Sequence, residues 1–514
     1  MVIKFSLDIL KPLRFILLFT LGLVLSSCSN KNKTEVKQPN IVVLVADDLG
    51  WKDVGYHGSD IMTPSIDRLA QSGARLNQFY VMPACTPTRA SLLTGRYPMR
   101  YGMQITVVKP RHKHGIPLDE RLLSEALKEV GYETAITGKW HLGMAKPEYL
   151  PSYRGFDHQY GCYTGMIDYV THARHQLDLG PQLVVLDELE KPSDDILGHD
   201  WYRNEKPCYE KGYVTDLIQN EAVEIINGRN KAKPLFLYVP FTAPHIPLQA
   251  TDTYVDMYQG KEMMLQNRQM NTENKEGALN ARRYFAAMVT NMDHAIGEIL
   301  DALEKQGMTE NTLVMFFSDN GGLSWGGANN DPFRGYKTEL YEGGVRTPAA
   351  VSFPNHIKPG TVVDEPLHVV DLYPTLLELS GASLQQLHPL DGKNIWASLT
   401  EGKPSPHNEI VLNAREDRSS AILVGDWKLV KNGNLGPTET IAEGKAAMYE
   451  LFNLVKDPEE KNNLKDKYPE KFKELSKRLE FYIQSAAEPL VTTNPAAEGL
   501  PPKRWEPNWW KKVE

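Results

Sequence analysis

Four short runs dominated by apolar residues lie within the first 320 positions: IVVLVA (41–46), TAIT (134–137), LFLYVPF (235–241) and TLVMFFS (312–318). Their length and their β-branched and aromatic content predict buried strands. Near-continuous hydrophobicity is the mark of strands covered on both faces. Between them the period changes. LDERLLSEALKEVG (118–131) and RRYFAAMVTNMDHAIGEILDALEKQG (282–307) repeat apolar residues at three- and four-residue intervals and each stops at a glycine, which predicts amphipathic helices. The alternation predicts an α/β fold with a large, mostly parallel sheet flanked by helices. After about residue 400 the texture changes. EIVLNA, SAILVGDWKLVKN and AAMYELFNL predict antiparallel strands, and residues 469–487 an amphipathic helix. The division expected is a main domain over 40–400 and a smaller C-terminal α+β subdomain with an antiparallel sheet over 401–514, ending in a Pro- and Trp-rich tail.

In sheets of this kind ligands bind beyond the carboxyl ends of the strands. After the first run stand Asp47 and Asp48; after the second, Lys139 and His141 in GKWHLG; after the third, His245 in APHIP; after the fourth, Asp319 and Asn320 in SDNGG. One such end is an ordinary turn. Four at one sheet edge make a site. The oxygen donors Asp47, Asp48, Asp319 and Asn320 suit a hard divalent cation, Ca²⁺ before Mg²⁺, and no cluster of Cys or His suggests structural zinc.

Composition narrows the class. The chain has 514 residues, 41% of them hydrophobic, and a net charge of -8. That leaves room for a large core and argues against nucleic acid as a partner, so an anionic substrate needs a local basic cluster. Lys4, Lys11 and Arg14 precede FILLFTLGLVL, which is short for a membrane span and reads as a secretory signal. It ends in LSSC, which resembles the bacterial lipoprotein cleavage box. Residues 1–28 are therefore expected to be a signal peptide with lipidation at Cys28, and residues 29–39 a polar tether. The expected location is the outer membrane or periplasm of a bacterium, with the lipid as the only membrane attachment. Export permits disulfides, and Cys162 and Cys208 remain as the two cysteines available to pair.

The stretch CTPTRASLLTGR begins at Cys85. Pro87 suits a first helical turn, so Cys85 stands at a helix start, where free N–H groups favour anions. Arg89 lies one turn on, facing the same side. By itself this reads as a low-pKa thiolate nucleophile, although an exposed thiol is a liability after export and no His–Asn or His–Asp partner lies nearby in sequence. The stretch resembles the signature of the type I sulfatases, in which this cysteine is oxidised to Cα-formylglycine. NIVVLVADDLGWKDVGYHG, GKWHLG, RGFDHQYG, APHIPL, SDNGG, RGYKTELYEGGVRTP and YELFNLVKDPEEKNNL resemble further blocks of the family, in order, and the stretch from IPLDERLLSEALKEVGY through RGFDHQYG, together with PLFLYV and PHIPLQ, resembles the arylsulfatase B, or N-acetylgalactosamine-4-sulfatase, branch. One departure is Thr88, where many members have serine.

The resemblance implies an alkaline-phosphatase-like fold, a maturation enzyme as partner, and a metal site of Asp47, Asp48, Asp319, Asn320 and the modified Cys85. One hydroxyl of the hydrated aldehyde attacks sulfur, and proton loss from the other expels sulfate. Arg89, Lys139, His245 and Lys337 meet the sulfuryl oxygens, and His141 acts beside the diol as base or orienter. Lys337 alone, in FRGYKTELYEGG, reads as a solvated loop residue; the resemblance makes it a sulfate ligand. His172, His175 and the run KPRHKH (109–114) are weaker candidates for lining a pocket for anionic sugars. The substrate implied is a sulfated oligo- or polysaccharide, attacked at a chain end on 4-O-sulfated N-acetylgalactosamine or galactose. An algal galactan of carrageenan type is the rival sugar. Phosphonate or phosphodiester hydrolysis, and a catalytically dead glycan-binding lipoprotein, are the rival activities.

Overall fold

The computed structural model describes residues 38–104, 106–109, 112–173, 198–266, 274–413, 419–433 and 446–490. The expectations for the signal peptide, Cys28, His175, Arg111 and the Trp-rich tail lie outside the described residues.

In chain order the strands are β1 (Asn40–Ala46), β2 (Ala74–Leu76), β3 (Phe79–Tyr80), β4 (Glu133–Thr137), β5 (His158–Gly161), β6 (Tyr202–Arg203), β7 (Lys206–Pro207) and β8 (Leu235–Pro240). Then follow β9 (Thr312–Ser318), β10 (Ala349–Ser352), β11 (Thr361–Val363), β12 (Leu367–His368), β13 (Ile410–Asn413), β14 (Ser420–Val424), β15 (Trp427–Lys431) and β16 (Tyr449–Asn453). Ten of them form one sheet in the order β11-β2-β10-β9-β1-β8-β4-β5-β6-β7. The four apolar runs become β9, β1, β8 and β4, adjacent and all parallel, so their carboxyl ends share one edge. Antiparallel pairings enter only toward the sides, at β10 and at β6.

The sheet divides two cores. Ile41, Val43 and Val45 face the side covered by the helices Cys85–Thr94, Leu123–Glu129 and Leu372–Ser380; Val42, Leu44 and Ala46 face the side covered by Pro64–Ser72, Val214–Gly228 and Lys275–Lys305. Each such Val or Leu contributes about 1.5–3 kcal/mol over an exposed one, which is why β1 carries no polar residue between Asn40 and Asp47. No helix among the described residues is long and apolar enough to cross a membrane.

The C-terminal strands β13 to β16 form a separate antiparallel meander. Leu475, Leu479 and Ile483 of the helix Pro469–Gln484 cover one face with Val411, Ile422, Leu429 and Leu451. The other face, with Leu412, Leu423, Val430 and Phe452, packs on Tyr80, Leu340, Tyr341 and Val345 of the main domain.

Three helices differ in span from the sequence expectation, the one expected over 469–487 ending at Gln484. The helix expected over 118–131 spans Leu123–Glu129, because Glu120 turns away to pair with Arg96 and Glu125 reaches back to accept the Leu122 N–H at 2.7 Å. The helix expected from residue 282 begins at Lys275, where Asn274 caps it by accepting the Gly277 N–H at 2.9 Å. Its first turns are polar, so apolar periodicity did not reveal them.

Candidate active site

The four parallel strands deliver their trailing residues to one place, and backbone bonds lace the ends together. Asp47 N–H donates to Ala243 O (3.0 Å), Asp319 N–H to Ala46 O (3.0 Å) and Lys139 N–H to Pro240 O (2.7 Å). Asp48 and His141 hold left-handed backbone, with φ of 71° and 60°, a conformation that costs non-glycine residues of order 1 kcal/mol and collects at functional sites. Cys85 opens the helix Cys85–Thr94 after an extended Ala84, so that helix start points into the same group. Thr86 donates its hydroxyl to His141 O (2.8 Å), fixing the helix start against the strand β4 loop. The Thr88 hydroxyl accepts the Met82 N–H (3.0 Å) and donates to Met82 O (3.1 Å), a role a serine hydroxyl would also perform.

Asp47, Asp48, Cys85 and His245, all buried, each offer one ligand atom within 4.8 Å of the others. The Cys85 thiol lies 3.4 Å from Asp47 Oδ1. Asp319 accepts the Asp48 N–H on Oδ1 (3.3 Å) and the Arg89 Nε and Nη2 on Oδ2 (3.1 and 2.8 Å). Arg89 also donates to Lys139 O (3.0 Å) and stands 3.5 Å from Asp47. Asn320 donates its amide N–H to Asp48 Oδ1 (2.7 Å), while its own Oδ1 is buried without a partner. Lys139 Nζ lies 2.5 Å from Asp47 and Lys337 Nζ 2.7 Å from Asp48.

The donor set fits a hard cation. Three buried carboxylates, an orphaned amide oxygen and the position of Cys85 converge, and a buried acceptor left unpaired is costly unless something meets it. His245, for which the resemblance implies a place on the sulfate, also joins this cluster. Its position after β8, next to β1 in the sheet, was the available signal. His245 Nδ1 faces Ile246 O at 2.7 Å. A carbonyl only accepts, so Nδ1 carries the proton and Nε2, 3.5 Å from Asp48, is the free lone pair.

Burial works against charge on Asp47, but the Lys139 ammonium and the Arg89 guanidinium outweigh it and hold the carboxyl below the usual range. For Asp48 burial is again opposed, chiefly by Lys337, with the same outcome. Burial, then Lys139 and Arg89, push His141 well down, so its imidazole is neutral. The thiolate reading of Cys85 is corrected here. Burial, followed by Asp319 and Asp47, pushes the thiol far up despite its helix-start position, so the unmodified side chain is a protonated thiol and a poor nucleophile.

Lys337 is not the solvated residue that its charged loop suggested. Its side chain is 12% exposed, and Asp48 holds its ammonium charged against the effect of burial. His172 hydrogen-bonds Gly212 O through Nε2 (2.9 Å) and packs beside Trp201. Val108 N–H donates to Thr86 Oγ1 (3.1 Å), which brings the start of the 109–114 run beside Cys85. Cys162 and Cys208 do not pair. Both are free thiols, the first buried near Thr164 O and the second 3.2 Å from Glu210.

A sulfatase family model matches residues 39–382, and a model described as N-sulphoglucosamine sulphohydrolase, C-terminal, matches residues 335–488. Arylsulfatase J of Mus musculus is 35% identical over 490 residues, covering 87% of this chain and 76% of the mouse protein. N-acetylgalactosamine-6-sulfatase of Homo sapiens is 30% identical over 495 residues, covering 89% and 87%. The solved structure of Ps i-CgsB in complex with k-i-k-neocarrahexaose superposes with a TM-score of 0.76 at 31% identity, covering 90% of this chain and 96% of that one.

Proposed function

We infer, since this chain belongs to the sulfatase family, that it releases inorganic sulfate from 4-O-sulfated galactose or N-acetylgalactosamine at the end of a sulfated glycan. The observation that carries the reading is the buried convergence of Asp47, Asp48, Cys85, Arg89, Lys139, His245, Asp319, Asn320 and Lys337 at one sheet edge. Asp47, Asp48, Asp319, Asn320 and a Cys85 oxidised to Cα-formylglycine by a maturation enzyme would hold a Ca²⁺ ion, which supplies charge neutralisation for the sulfuryl oxygens, while the hydrated aldehyde supplies the nucleophile.

The rest is done by the chain's own groups. Lys139 and Lys337 place two ammonium groups on opposite carboxylates, Asp47 and Asp48, and offer their remaining N–H donors to the sulfuryl oxygens. Arg89 holds Asp319 in place with two donors. His245 presents Nε2, and neutral His141, whose carbonyl accepts the hydroxyl of Thr86 next to Cys85, is assigned to orient or take a proton. Because these reacting groups are buried, a chain end suits the site better than a chain middle. Lipidation at Cys28, proposed from the LSSC box, would place the enzyme at the outer membrane or in the periplasm.

The branch resemblance supports the 4-position. The neighbour solved with a carrageenan oligosaccharide supports galactose as the sugar, and the 6-sulfatase relative makes the 6-position the rival. The test is sulfate release from a 4-sulfated N-acetylgalactosamine disaccharide, its 6-sulfated isomer and a 4-sulfated carrageenan oligosaccharide. The expected order puts both 4-sulfated sugars above the 6-sulfated one. Preference for the 6-sulfated isomer refutes the position; turnover of carrageenan alone keeps the position and discards the amino sugar.

A further inference from the structure

The two blocks RGYKTELYEGGVRTP and YELFNLVKDPEEKNNL come from different parts of the chain and meet at one buried lysine. Lys428, on β15 and fully buried, lies between Glu342 Oε1 (2.8 Å) and Glu460 Oε1 (2.9 Å), both also fully buried. Glu460 Oε2 accepts the Glu342 N–H at 2.6 Å. Glu342 further accepts the Tyr80 hydroxyl at 2.9 Å and lies 3.3 Å from Arg346. Two carboxyl groups thus share one ammonium, and Glu342 has Arg346 as a second cationic partner.

What this group holds is the loop that carries Lys337. The leading end of the loop is Arg334, which donates to Glu460 O (3.1 Å) and Glu450 (3.0 Å). The trailing end is Glu342, on Glu460 and Lys428. Gly343 N–H closes the loop onto Arg334 O at 2.7 Å, and Leu340 N–H donates to Gly433 O at 3.2 Å. At the tip, Lys337 N–H meets Gly322 O (3.3 Å) and Thr338 N–H meets Pro83 O (2.7 Å), two residues from Asn320 and Cys85 respectively. Backbones approach closely enough here that a Cβ on Gly344 would collide with Glu339 O. A buried ion triad adds little net stability over apolar residues of the same volume, and its best-attested use is to fix one geometry.

We propose that Lys428 and Glu460 of the C-terminal sheet are positioning residues that hold the Lys337 ammonium at the sulfuryl site by clamping both ends of its loop. The proposal rests on the functional reading of Lys337 given above. The test is a double-mutant cycle in the matured, calcium-loaded full chain, with an aryl sulfate as substrate and thermal unfolding as the check of fold. Lys428→Met is expected to lower kcat about 30-fold with little change in KM, and to cost less than about threefold more in the Lys337→Ala background. A role in folding alone would lower turnover by the same factor in both backgrounds, and that result overturns the proposal. If Lys428→Met does not fold, Glu460→Gln, which keeps the shape, is run through the same cycle with the same two outcomes. A Lys337→Ala enzyme of full activity would instead refute the role of Lys337 itself, and the clamp with it; loss in Lys337→Ala with equal factors in the cycle refutes the clamp alone.

Discussion

Asp319→Asn is expected to lower sulfate release by on the order of 10³-fold. The carboxylate serves three groups at once, taking Arg89 Nε and Nη2 on Oδ2 and the Asp48 N–H on Oδ1. An amide of the same shape has one acceptor oxygen, so its NH₂ must face either the guanidinium or the Asp48 amide, both donors. The exchange also removes one negative charge from a site argued to hold a divalent ion. Calorimetric titration should therefore show weakened Ca²⁺ binding alongside the loss of turnover, and chelation of the native enzyme should give the same loss reversibly. The fold survives, because Arg89 keeps Lys139 O and Asp47 and both sheet faces keep their apolar cores. Native turnover in Asp319→Asn, or in chelated enzyme, would show that the cation site is misassigned.

Lys139→Met is expected to cost about 10²–10³-fold in kcat. The lysine is fully buried, its ammonium lies 2.5 Å from Asp47, and methionine retains most of the stem while deleting the charge. Without it Asp47 loses its ammonium partner and keeps the Arg89 guanidinium at 3.5 Å, and the sulfuryl oxygens lose one of two flanking ammonium groups. Steady-state kinetics distinguish this from simple weakening of substrate binding. The loss should fall on kcat, since only contacts that are stronger in the transition state than with bound substrate raise kcat. A rise in KM with kcat unchanged would place Lys139 on the bound substrate only.

Much of this site was legible because the sheet's geometry converts sequence order into spatial convergence. The apolar runs at β1, β4, β8 and β9 were readable as strands, and reading the residue after each run named Asp47, Asp48, Lys139, His141, His245, Asp319 and Asn320. What the sequence could not give was the packing between distant segments. Lys337 looks solvated when only its charged neighbours are counted; its side chain is largely shielded because its ammonium turns inward to Asp48, far away in sequence. The Cys85 thiol looked acidic from its helix start, but burial and two carboxylates from other strands override the dipole. Cys162 and Cys208 looked available to each other, yet spacing along a chain does not determine whether two Cβ atoms meet. The helix expected from residue 118 lost its first turn to an ion pair between Glu120 and Arg96, which no local propensity encodes.

The central claim is that a modified Cys85, not a thiol, carries out the reaction at this carboxylate cluster. Preparations of the full chain made with increasing amounts of maturation enzyme should be compared by the mass of the peptide bearing Cys85 and by sulfate release under calcium saturation. Turnover proportional to the fraction converted to formylglycine, and none at zero conversion, is predicted. Full turnover from a chain whose Cys85 remains wholly thiol would contradict it.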